Sequence, residues 1–165
     1  MIRVQREDFD VGRELAALTA GDRSIGGVAI FVGLVREMVR GPRGEEPISA
    51  MTLEHYPGMT EKQLAAVEAE AQRRWPLARS LIVHRHGRLE PGEQIVLVAC
   101  ASSHREAALA ACHFLIDWLK TKAPFWKLEE ADRATRWVEA RSEDDQAVER
   151  WGKALPSTTR SVGEG

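Results

Sequence analysis

The segment Ser102-Ser103-His104-Arg105-Glu106 places a hydroxyl three residues before a carboxylate. Between Ser103 and Glu106 this is the spacing of a capping box, and it predicts a helix that opens at His104. Free backbone N–H groups and the positive end of the dipole make such a first turn attractive to anions. Arg105 adds a forked cation suited to phosphate. An ordinary capped helix with solvated side chains would look the same. A second cluster, Lys120, Lys122 and Lys127, surrounds Ala123-Pro124-Phe125-Trp126. Lysines near a helix C-terminus complement its dipole, which accounts for Lys120 and Lys122. It does not account for Lys127, which lies past a proline beside two aromatics. Aromatic walls that desolvate an ammonium lower its pKa toward the range of acid–base work. Arg36 closes the run Gly33-Leu34-Val35-Arg36. It either walls a pocket or marks where an apolar strand meets water.

Other reactive residue types are weaker candidates. Glu54 and His55 precede a Pro-Gly turn and read equally as a polar strand end. His84 and His86 flank Arg85, so on a strand they share a face, but no thiolate or carboxylate stands nearby to complete a metal site. Cys100 and Cys112 both lie in apolar surroundings and read as small buried hydrophobes. Cys100, close in sequence to His104, is retained as an alternative nucleophile. The chain shows no carboxylate pair, no Ser-His-Asp order and no glycine-rich phosphate loop. Its scattered cations point to a small anion, with a lysine as the reactive group, and leave the reaction unnamed.

These residues need elements to position them. Strands are expected at Ile2–Gln5, Gly26–Val35, Ile48–His55, Leu81–His86, Gln94–Ala101, Phe125–Glu129 and Arg136–Ala140, from β-branched and alternating apolar runs. Helices are expected over Val11–Ala20, from a capping box at Thr60 and Gln63 to about Trp75, over His104 to about Thr121, and from Ser142 to Trp151. Arg40–Pro47, rich in glycine, proline and charge, reads as a loop. Short turns join several strands and strict β/α alternation is missing, so the fold class is α+β with a largely antiparallel sheet.

With 165 residues, 44% hydrophobic and 29% charged, the chain suits one domain, taken as 1–151, with 152–165 as a loose tail. A net charge of −2 does not favour nucleic acid. No run approaches the ~20 apolar residues of a membrane span, and the acidic start is unlike a signal peptide. Two unpaired cysteines fit a reducing, cytoplasmic setting.

Several segments resemble the molybdopterin synthase large-subunit family. They are Phe31–Arg36, LEHYPGMTE at Leu53–Glu61, Arg74–Leu77, HRHGRLEPGE at His84–Glu93, Ser103-His104-Arg105, LKTKAPFWK at Leu119–Lys127 and Trp137–Ala140. The resemblance implies an α/β hammerhead-type fold with flanking helices, and a homodimer within a heterotetramer. It implies a partner, a small ubiquitin-like sulfur carrier with a C-terminal Gly-Gly thiocarboxylate. Sulfur would pass from it to cyclic pyranopterin monophosphate, forming the molybdopterin dithiolene with no metal or organic cofactor. Carried over by position, Lys120 and Lys127 are the expected catalytic residues. Arg36, His104 and Arg105 join them as expected substrate-binding residues. Leu34 departs from relatives that carry lysine there. A non-catalytic anion-binding module, and a sulfurtransferase with a Cys100 persulfide, are the alternatives.

Overall fold

The computed structural model describes residues 1–41, 44–131, 134–138 and 151–152. The elements in order are β1 (Ile2–Gln5), α1 (Val11–Thr19), β2 (Gly27–Leu34), β3 (Met38–Gly41), β4 (Gly44–His55), α2 (Met59–Arg74), β5 (Leu77–Arg85), β6 (Gly87–Leu89), β7 (Gln94–Ser102), α3 (Arg105–Thr121), β8 (Phe125–Ala131) and β9 (Ala134–Val138). The expected α+β class holds. One sheet runs β1-β5-β7-β2; the second runs β3-β4-β8-β9, with β6 added to β4. Among the described residues only β1 and β5 pair in parallel; the other ladders are antiparallel.

The first sheet is buried on both faces. Ile82, Val98 and Cys100 meet α2 and α3 through Leu64, Val67, Phe114 and Leu115. The alternate residues Leu81, Val83, Leu97 and Ala99 pack against Phe9 and Leu18 on the α1 side. This two-sided burial explains why β5 and β7 read as continuous apolar runs rather than alternating ones. The second sheet has one buried face, where Met51, Leu53 and Leu89 pack with Val35 and Val39.

Several local expectations are corrected. Arg40–Pro47 is not a loop: Met38 to Gly41 pair with Pro47 to Gly44 in a hairpin, and Gly44 takes a positive φ of 114°. α2 starts at Met59, one residue before the expected Thr60 cap. Gly58 is its N-cap, at φ 80°, a conformation open to glycine, and its N–H donates to Glu61 Oε2 at 2.6 Å. Thr60 is fully buried inside the first turn, where its hydroxyl accepts from Tyr56 N–H at 3.1 Å. α3 likewise lacks the Ser103–Glu106 box: His104 is the N-cap and makes no side-chain cap bond. Its N–H reaches Ser102 Oγ at 3.4 Å instead. β5 begins at Leu77 and ends at Arg85, β6 was not foreseen, and β9 lies two residues earlier than expected at its start. The helix expected from Ser142, like the tail, falls outside the described residues except at Trp151 and Gly152. Trp151 packs edge-on against Trp75 and Phe114, and its Nε1 donates to Asp117 at 2.9 Å. No described helix is long and apolar enough to cross a membrane.

Candidate active site

β8 places its candidate residues by alternation. Phe125, Lys127 and Glu129 project to one face, opposite His55, Leu53 and Met51 of β4. Leu53 and Met51 are buried, so this is the inner face. Trp126 projects to the other face, 45% exposed and edge-on to Tyr56 at 5.7 Å. The expected double aromatic wall around Lys127 is therefore halved: only Phe125 shares its side.

The inner face looks into a cavity of about 850 Å³. Its other walls are β2 from Phe31 to Leu34, β7 at Val96 and Val98, and the last turns of α3. Two lysines and an arginine line it: Lys120, Lys127 and Arg36. Each arrives by a different route. Arg36 follows the end of β2, where the ladder with β7 shifts register between Gly33 and Leu34. A side chain at Gly33 would meet Val96 Cγ1 at 2.8 Å, so the absence of one lets β2 lie close against β7 here. Lys120 stands in the last turn of α3, its ammonium 6.0 Å from the centre of the Phe31 ring. Lys127 Nζ lies 2.7 Å from Glu129 Oε1, and Glu129 is 3% exposed. A size of this order suits a compact organic ligand. The lining supplies apolar surface for a ring and cations for an anionic group.

The remaining candidates separate from this cavity. His104 and Arg105 are exposed at the opposite end of α3. The helix is continuous, so the sixteen steps from His104 to Lys120 span about 24 Å. Lys122 caps α3 and is not among the lining residues. Cys100 is fully buried. The neighbouring Cys112 thiol and burial hold its own thiol protonated, above the ordinary cysteine range. Access and thiolate character, both needed for a persulfide carrier, are missing. Among the described residues no group of three His, Cys, Asp or Glu is arranged to hold a metal.

His84 was considered above only as a weak metal ligand, yet it lines the cavity. It stacks on Phe125 with ring centres 3.7 Å apart and planes 13° from parallel. Burial pushes its pKa down to about 4, against an opposing hydrogen bond to Arg85 O and with help from His55 and His86. His86 is lowered for the same first reason, burial, then by His55, whose ring lies 4.3 Å away. The Lys127–Glu129 pairing was also missed, although two opposite charges two residues apart on a strand necessarily share a face.

Fold and site together define an α+β scaffold with a cavity lined by two lysines and an arginine. The MoaE protein family model matches residues 4–122. The molybdopterin synthase catalytic subunit of Pseudomonas aeruginosa is 55% identical over 150 residues, covering 91% of this chain and 97% of that one. Among solved structures, the molybdopterin biosynthesis MoaE protein from Burkholderia ambifaria superposes with a TM-score of 0.78 at 53% identity, over 93% of this chain and 98% of that chain. Molybdopterin synthase from Staphylococcus aureus gives 0.75 at 29% identity, over 83% and 96%. The chain belongs to the MoaE family of molybdopterin synthase catalytic subunits, enzymes that transfer sulfur in molybdenum cofactor biosynthesis.

Proposed function

We propose that the cavity of Arg36, Lys120 and Lys127 is where sulfur passes from the thiocarboxylate tail of a small ubiquitin-like carrier to cyclic pyranopterin monophosphate. The observation that carries this reading is the convergence of three cations from β2, α3 and β8 on one partly apolar cavity. Arg36 suits the substrate phosphate, because a guanidinium can bind it with two parallel bonds. Attack by or on a thiocarboxylate builds negative charge on oxygen and sulfur. A lysine ammonium held at that point stabilises the charge, and a neutral lysine can move a proton. Sulfur arrives with the partner, which fits a chain whose cysteines are both buried.

The partner reading is supported by the name of the Pseudomonas relative, a catalytic subunit, which places that protein in a larger enzyme. A tail ending in Gly-Gly has no side chains to recognise, so it must be held by backbone hydrogen bonds and steric fit in an extended form. His104 and Arg105 cannot reach the cavity of their own chain. In a twofold dimer they would serve the mate's cavity, since every contact of such an interface is made twice.

The test is direct. Purified protein is mixed with a thiocarboxylated carrier and cyclic pyranopterin monophosphate, and dithiolene product is measured. Product in the complete mixture, and none without the thiocarboxylate, is the expected result. Absence of product in the complete mixture refutes the reading.

A further inference from the structure

The cations of the cavity explain how an anion is held, but not how a heterocycle is turned the right way. A pterin presents a carbonyl together with amino and ring N–H groups, and the N–H groups require acceptors. Arg36, Lys120 and Lys127 are donors only when charged. The Thr121 hydroxyl donates to Asp117 O at 2.7 Å, which ties it to its own helix end while leaving its lone pairs able to accept. His84 offers a second acceptor. On β5 it shares a face with Ile82, the face turned to α3, and it stands opposite Val96 of the cavity wall. Its Nδ1 lies 2.8 Å from Arg85 O. A carbonyl only accepts, so Nδ1 carries the hydrogen and Nε2 keeps a lone pair. Nε2 is on the far side of the ring from that backbone contact. Nε2 makes no hydrogen bond among the described residues and is not one of the fully buried polar atoms left without one, which lie on Arg3, Gln63 and Trp118; the residue as a whole is 7% exposed and lines the cavity. The Phe125 ring, stacked at 3.7 Å, fixes the plane of the imidazole.

We propose that His84 is the acceptor that orients the pterin ring, its Nε2 taking an N–H of the heterocycle while the cations hold the phosphate and the developing charge. The proposal rests on the synthase reading given above. It assigns a specificity role to a residue that would otherwise be simple packing. A site built to pair with an N–H discriminates strongly against ligands that lack it. The nearest titratable neighbours, His55 and His86, do not compete for this role. His55 faces Glu61 at 3.8 Å and His86 lies against His55.

The experiment compares wild type, His84→Phe and His84→Gln in the complete synthase with a thiocarboxylated carrier. His84→Phe keeps the stack on Phe125 and removes the acceptor; His84→Gln restores an acceptor near the same place. KM for the pterin phosphate, kcat, and inhibition by inorganic phosphate are measured, with melting temperature as a check on folding. Expected is a KM raised at least about tenfold in His84→Phe, with phosphate inhibition unchanged and substantial recovery in His84→Gln. A folded His84→Phe with wild-type KM overturns the assignment. So does a KM and a phosphate inhibition constant that rise together, because that marks general damage to the cavity. So does a His84→Gln as impaired as His84→Phe. Wild type that makes no dithiolene overturns the synthase reading itself, a result distinct from all three.

Discussion

Lys127 and Glu129 alternate on the inner face of β8, with the ammonium 2.7 Å from a carboxylate that is 3% exposed. A charged pair in this position does more for orientation than for stability. Lys127 keeps 30% of its side-chain surface, so the net contribution to folding is modest, about 1 kcal/mol. Its effect on the direction of the ammonium is larger, because a lysine has four rotatable bonds and one fixed anchor. Glu129→Gln is expected to slow single-turnover product formation about tenfold while shifting stability by roughly 1 kcal/mol. Wild-type turnover in the folded variant would show that the pair does not position Lys127.

The three lysines near Pro124 should separate in their effects. Lys120 and Lys127 line the cavity and Lys122 does not. Alanine at either of the first two is expected to cost at least about 100-fold in turnover, the scale of losing one donor to a developing anion. Lys122→Ala should stay near wild type. Single-turnover rates with circular dichroism as a folding check give the order, and a most-damaged Lys122→Ala would reverse it.

The cysteine alternative makes an opposite forecast. If sulfur is carried only by the partner, Cys100→Ala keeps full turnover. Because Cys100 is fully buried in the α2/α3 core, the same change should destabilise by roughly 1–2 kcal/mol. Lost turnover in a folded Cys100→Ala would restore the persulfide reading.

The sequence revealed much of this, and the reasons for the rest are physical. Long apolar runs such as Gly27–Leu34 and the periodic stretch from Arg105 to Thr121 declare their type because burial demands it. The cap residues misled because Ser103 and Thr60 have the right chemistry one or two positions from the true caps. There, Gly58 and His104 won through backbone conformation, which composition does not report. Lys120, Lys127 and Arg36 were legible as candidates, but their convergence depends on how β2, α3 and β8 meet. His84 was hidden by its own strand: between an apolar run and an arginine, it resembles any polar strand end. Its place in the cavity wall emerges only when Phe125, forty-one positions later, is seen stacked on it.

Acid should expose that burial. The folded-state pKa of His84 is about 4, below the ordinary 6.5. A depressed histidine contributes stability that is complete above the unfolded value and is lost as pH falls from 6.5 toward 4, because the unfolded chain then binds the proton more readily. The term is on the order of 3 kcal/mol at most. His86, also lowered by burial, acts in the same direction. Urea midpoints for wild type should therefore drop between pH 7 and pH 4.5 by more than those of His84→Phe. Equal drops would show that His84 does not contribute.

The position of Arg105 yields the last prediction. Arg105 begins α3 and Lys120 stands in its last turn, so one chain cannot bring both to a ligand the size of a pterin phosphate. Either Arg105 merely shapes its helix end, or the site is completed by a second copy. The two cases differ under subunit exchange. Arg105→Ala and Lys120→Ala are each expected to be inactive as homodimers if both groups handle substrate. In a mixed dimer with shared sites, one cavity receives both damaged residues and the other receives neither. Half of the dimers are mixed at statistical exchange, and half of their sites are intact, so activity should return to about a quarter of wild type. Mixed dimers demonstrated by mass spectrometry with no recovered activity would end the shared-site account. A fully active Arg105→Ala homodimer would end it too, by showing that the guanidinium has no part in the reaction.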